Sequence, residues 1–125
     1  MMNILKLINV VAVSVMLSGL SYAASESADA WKYARKAWPK DKSMHKYYAK
    51  KTIDKLPVWG NLKNKYRLKM QAENKEKEYR LIIKICDHEY KGQLDHKVIL
   101  FETLAKRVLS GSIGKRYLQE RLGNL

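Results

Sequence analysis

Cys86, Asp87 and His88 stand side by side with His96 a little further on, the densest grouping of side chains that could bind a metal, move a proton or attack a carbonyl. Adjacent positions are the wrong spacing for structural zinc, whose paired ligands need two or more residues between them and whose usual sets draw on more than one cysteine. Cys86 is the sole cysteine. A hydrolase built on Cys86, His96 and Asp87 can be written from residue types, but no nucleophile motif accompanies it. A histidine nuclease is chemically nearer, with His88 or His96 as general base and Arg80 or Lys84 against phosphate charge. The third histidine, His45, is remote in sequence. Gly111 and Gly114 separate two helical patterns and do not make a phosphate-cradling loop. The residue set points away from catalysis and implies neither metal nor cofactor.

A lone cysteine cannot close an intramolecular disulfide, so the core must hold by packing. Cys86 reads as a small buried hydrophobe, with an intermolecular disulfide as the alternative.

The start of the chain sets the compartment. Lys6 precedes an apolar run from Leu7 to Leu20, and Ser21-Tyr22-Ala23 supplies small residues at the positions a signal peptidase reads. The expected product begins at Ala24 and is exported, periplasmic or extracellular. A retained anchor is the competing reading, but the run is shorter than the roughly 18 to 20 residues a spanning helix needs. Removing residues 1–23 leaves 102 residues, one domain with a modest core. Only Lys6 is lost from the 25 basic side chains, so 24 face 12 acidic ones, a net charge of +12. Such a field draws polyanions and acidic protein surfaces.

Helical spacing predicts a first helix from Ser27, as N-cap, through Trp31, Ala34 and Trp38 to Pro39, with Lys32, Arg35 and Lys36 on its other side. Its two indoles read as core anchors. A second helix is expected from a Ser43 cap to Leu56, where Pro57 should stop it before a turn over 57–61. Strict alternation then predicts two strands: Tyr66, Leu68, Met70 and Ala72 face inward on the first, and Tyr79, Leu81, Ile83 and Ile85 on the second. The polar run from Glu73 to Glu78 would be the hairpin loop; a charged helix through Glu73 to Arg80 is the competing reading. After a loop over 87–93, a helix capped by Asp95 carries Val98, Phe101, Leu104, Ala105 and Val108, and a short helix ends the chain. The expected fold is α+β: two N-terminal helices, a β-hairpin, and one or two C-terminal helices on its apolar face.

On that hairpin the outer face opposes Arg67 to Lys84 and Gln71 to Arg80, with Lys65 and Lys69 alongside. Like charges opposed across strands cost roughly 0.2 to 1 kcal/mol per pair, and an anion would relieve it. Lys65, Arg67, Lys69, Arg80 and Lys84 are therefore the candidate partner-binding residues, unless their stems simply spread and solvate the charged ends. With three tryptophans, and seven tyrosines after loss of Tyr22, the chain is rich in interface-forming side chains. The expectation is a non-catalytic protein binding an acidic envelope or secreted protein, as an inhibitor, an immunity or exclusion factor, or an accessory subunit. Two other partners fit the charge. Nucleic acid could stack on Trp31, Tyr33, Trp38, Tyr47, Tyr48 and Tyr66 during DNA uptake or transfer. An anionic membrane could receive the helix from Ser27 to Trp38, as for a secreted toxin.

Overall fold

The computed structural model describes residues 25–123; the expected leader and its cleavage point lie outside the described residues. Five helices follow one another: α1 over 25–37, α2 at Lys42–Ala72, α3 at Glu76–Glu89, α4 at Leu94–Leu109 and α5 at Lys115–Gly123. No strand occurs among the described residues, and the expected α+β fold with its hairpin is replaced by an all-helical domain. None of these helices is long and apolar enough to cross a membrane.

The correction has a readable cause in α2. Its inward positions are His45, Ala49, Thr52, Leu56, Trp59, Lys63, Tyr66 and Met70, in alternating steps of four and three along 31 residues. That is the seam of a helix, and it runs unbroken through Pro57. Proline lacks the N–H that would bond the Ile53 carbonyl, but Pro57 is exposed, so that carbonyl is not stranded in the core. Tyr66 and Met70 belong to the four-step and the two-step pattern alike. Leu68 and Ala72, which a strand would have buried with them, are exposed. In α3 the buried set is Ile82, Ile85 and Cys86, again helical spacing, and Ile82 comes from what the hairpin would have made its outer face.

Between the two helices the chain reverses at Asn74, whose φ of 57° is a left-handed conformation that asparagine tolerates. The Glu73 and Lys75 N–H groups both donate to the Met70 carbonyl, at 3.1 and 2.7 Å, closing the end of α2. Lys75 Nζ donates to the Val108 carbonyl at 3.0 Å, tying this turn to the end of α4. The charged run over 73–78 is thus a helix end, a turn and a new helix start.

Other boundaries differ in detail. Ser27 lies inside α1 and does not cap it. Asp41, not Ser43, caps α2, accepting from the Ser43 and Met44 N–H groups. The Ser43 hydroxyl, then the Met44 N–H, hold its carboxyl below the usual range. Gln93, not Asp95, precedes α4.

The core sits where α2, α3 and α4 meet, with α5 packed on α3. Phe101 is fully buried and met edge-on by Trp59, Tyr66 and Tyr79 at 5.4, 6.0 and 6.0 Å. Met70, Ile82, Ile85, Leu94, Leu104, Val108 and Leu118 complete it. No residue of α1 belongs to this cluster. The inner face of α1 is Glu26, Ala30 and Ala34, a stripe at four-residue spacing of one carboxylate and two methyls. It comes close to the loop after α3 because Gly92 has no side chain: with φ +82°, an added Cβ would lie 2.7 Å from the Tyr33 Cβ.

Candidate functional site

The five residues expected to share one basic face are divided between two helices. Lys65 and Lys69 flank the Tyr66 ring on α2, their ammonium groups 5.4 and 5.5 Å from its centre. Arg67 is turned away from them and donates to Asn64 Oδ1 at 2.8 Å. Arg80 and Lys84 lie one turn apart on the outer side of α3. All five are exposed, but the cross-strand opposition of charges that singled them out does not exist in a helical structure.

A different surface gathers aromatic rings and positive charge. The start of α2, the end of α3 and the start of α4 lie at one end of the bundle, and α1 turns into α2 there. Tyr33, Trp38 and Tyr48 form a ring cluster with centres 5.1 to 6.3 Å apart, and Tyr47 extends it at 5.9 Å from Tyr48. Lys51 bonds Asp95 at 2.9 Å and lies 5.7 and 5.8 Å from the Tyr47 and Tyr48 rings. Asp95 is pushed up by its burial, yet the Lys51 ammonium outweighs that and its carboxyl rests below the ordinary value. His96 next to it stacks on Tyr90 at 5.2 Å. His45 Nε2 lies 2.6 Å from the Trp38 carbonyl, and its ring meets Trp31 edge-on.

Trp31 is 36% exposed and Trp38 half-buried, so both expected anchor roles are corrected: neither indole lies in the main core, Trp59 is the buried tryptophan, and Tyr47 is 54% exposed. Around these rings Lys32, Arg35, Lys36, Lys40, Lys42, Lys46 and Lys50 are exposed, and none bonds a carboxylate among the described residues. A surface opening of about 610 Å³ is lined by Ala37, Trp38, Pro39, Lys40 and Asp41 at the turn itself. Chemically, this end offers flat apolar rings with hydroxyl and indole edges, framed by cations.

Beneath α1 lies a second arrangement that sequence reading missed. Lys97, 1% exposed, donates to both Glu26 oxygens at 3.1 and 3.3 Å and to Asp87 Oδ1 at 2.9 Å. Burial works against its charge, but the two carboxylates prevail and hold Lys97 above the ordinary lysine value. Lys63, on the α2 seam, lies 5.0 Å from the Trp59 ring centre, and burial pulls its ammonium down to about 8. One signal could have revealed this group. Lys97 occupies a core place in the Leu94, Lys97, Phe101, Leu104, Val108 rhythm, and a lysine there requires buried carboxylates.

The Cys86, Asp87 and His88 grouping does not assemble a reactive centre. Cys86 is fully buried and its thiol is pushed up to about 12, chiefly by burial. Asp87 is engaged by Lys97, and His88 points to the exposed side of α3. No group of three or more potential metal ligands occurs among the described residues.

Fold and surface together define a small, strongly basic, all-helical domain with an exposed aromatic end. No protein-family model, curated protein or solved structure matches the chain.

Proposed function

We propose that this chain is a non-catalytic binding protein that engages an acidic protein of the cell envelope or its surroundings through the aromatic and cationic end of the bundle. The observation that carries the reading is Tyr47. It stands more than half exposed on a pre-packed ring cluster, beside a Lys51 paired with Asp95 and between Lys46 and Lys50, which are exposed and bond no carboxylate among the described residues. Tyrosine, tryptophan and arginine dominate binding energy at protein interfaces because they bury large area at modest entropic cost. The cations speed encounter with a negatively charged groove and fix its orientation. An inhibitor, an immunity or exclusion factor, or an accessory subunit of a surface machine would all use such an end.

The test is affinity recovery from the envelope with the tagged chain, with co-eluting proteins identified at low and high salt. A specific acidic protein should co-elute with the parent, and be lost with Tyr47→Ala and with Lys46→Glu/Lys50→Glu. Unchanged recovery by both variants overturns the reading.

Single-stranded nucleic acid is the second reading, favoured by rings alternating with cations along α1 and α2. It would show affinity tolerant of sequence and falling steeply with salt, with no protein recovered.

A further inference from the structure

The outer side of α3 presents a row of positive charge separate from the aromatic end. Lys77, Arg80 and Lys84 recur every three or four residues, the His88 ring continues their line over about 16 Å of helix, and Lys91 follows just beyond it. All five are exposed, and the four lysine and arginine side chains bond no carboxylate among the described residues. Of the acids near this row, Asp87 is engaged by Lys97 and Glu89 by Arg121, the latter in two bonds of 2.8 and 2.9 Å, while Glu76 and Glu78 sit in the first turn of α3 and bond none of these cations among the described residues. No large exposed apolar side chain belongs to α3. The face therefore offers charge without a wedge or an anchor.

Lys84, His88 and Lys91 converge on a cleft of about 540 Å³ that Asp87 and Leu122 also line. Its three nitrogen-bearing side chains suit one phosphate group; the Asp87 carboxylate beside them is bonded to Lys97, and Leu122 of α5 is the apolar part of the lining. The row has no exposed tyrosine, tryptophan or phenylalanine ring on which bases could stack. A single strand would touch it at a few points, whereas a plane of anions meets every cation together.

We propose that α3 is a docking face for an anionic phospholipid bilayer, lying flat on the surface with a headgroup phosphate in the Lys84, His88 and Lys91 cleft. Each lysine or arginine brought to an anionic membrane surface is worth about fivefold in partitioning, screened by salt. The arrangement leaves the aromatic end of the bundle free to meet a partner, and does not depend on it.

Partitioning of the full chain is measured on vesicles of phosphatidylglycerol mixed with phosphatidylcholine and on phosphatidylcholine alone. The quantity read is the ratio of the two, in which residues 1–23, common to every variant, contribute equally. Arg80→Gln/Lys84→Gln should lower that ratio about 25-fold, at the fivefold per charge given above. Lys65→Gln/Lys69→Gln removes the same charge from α2 and should lower it far less. All four positions are exposed, and far-UV circular dichroism checks that both double variants keep the helices. Equal losses from the two pairs would mean that net charge, not α3, does the binding, and would overturn the proposal. So would an α3 pair that weakens binding to a single-stranded oligonucleotide while leaving the vesicle ratio unmoved, or a parent chain with no preference for the anionic vesicles.

Discussion

Around Phe101, the rings of Trp59, Tyr66 and Tyr79 stand edge-on at 5.4 to 6.0 Å in a cluster sealed by three helices. At the end of the bundle, Tyr33, Trp38, Tyr47 and Tyr48 meet at 5.1 to 6.3 Å, yet Tyr47 remains 54% exposed. The spacing of the rings is nearly the same in both, although Tyr48 meets Tyr33 and Trp38 tilted at 50° and 37° and not edge-on. What differs is the burial: the first belongs to one buried cluster with Leu94, Leu104 and Val108, whereas Tyr33, Trp38 and Tyr48 are only half-buried and no residue of α1 joins that core. Rings left half in water keep binding energy for a partner, while buried rings have already spent theirs on the fold.

The sharpest way to break this contrast is Phe101→Ala, which leaves a cavity among three aromatic side chains and should cost about 3 to 5 kcal/mol in denaturant unfolding. Next is Lys97→Met, which strands the buried Glu26 carboxylate without its cation and should cost about 3 kcal/mol or more. Lys97→Met combined with Glu26→Leu should recover much of that loss, since an apolar pair can replace a buried ion pair. A double variant no better than Lys97→Met alone would show that the pair does more than neutralise itself. Gly92→Ala should destabilise by about 1 to 3 kcal/mol, because it strains a φ of +82° and drives a methyl into α1. Its loosening should register first at α1, as early amide exchange over 25–37.

Smallest in stability is Tyr47→Ala, expected within about 0.5 kcal/mol of the parent. If Tyr47 instead unfolds the protein as Phe101 does, the wet cluster is part of the core and the comparison fails. Lys63 supplies a pH signature. Its folded value of about 8 lies below the ordinary 10.5, so across that interval the unfolded chain holds a proton the folded chain has released. Stability should therefore gain from this group as pH climbs from about 8 towards 10.5, and Lys63→Met should remove the gain. Lys97 acts in the opposite sense and higher up, its contribution being lost only as pH passes its raised folded value.

Much of the helical pattern was legible. The spacing around Trp31 and Ala34, the start of α2, the apolar stripe of α4 and the short final helix all lie close to their observed places. The middle is ambiguous because Tyr66 and Met70 satisfy a period of two and one of seven halves alike, while Leu68 and Ala72, exposed on the helix, complete an alternation that mimics a strand. Following the seam back through Trp59, Thr52 and Ala49 resolves the ambiguity, since only a helix keeps that phase through Pro57 and Gly60. The candidate site was legible in its residue types but not in its assembly. Residue type alone marks Trp31, Tyr33, Trp38, Tyr47 and Tyr48 as stacking candidates, while the charged set drawn from 65–84 depends on a strand pairing that does not form.

Composition alone determined the strong positive charge, the want of any disulfide staple within the chain and the aromatic richness, because these are sums over residues and do not depend on where the chain turns. The tertiary structure decided which rings are dry, which lysine is swallowed by two carboxylates and which cations stand unopposed. Those are properties of neighbours distant in sequence: Glu26 reaches Lys97 across 71 positions, and no local period records the meeting.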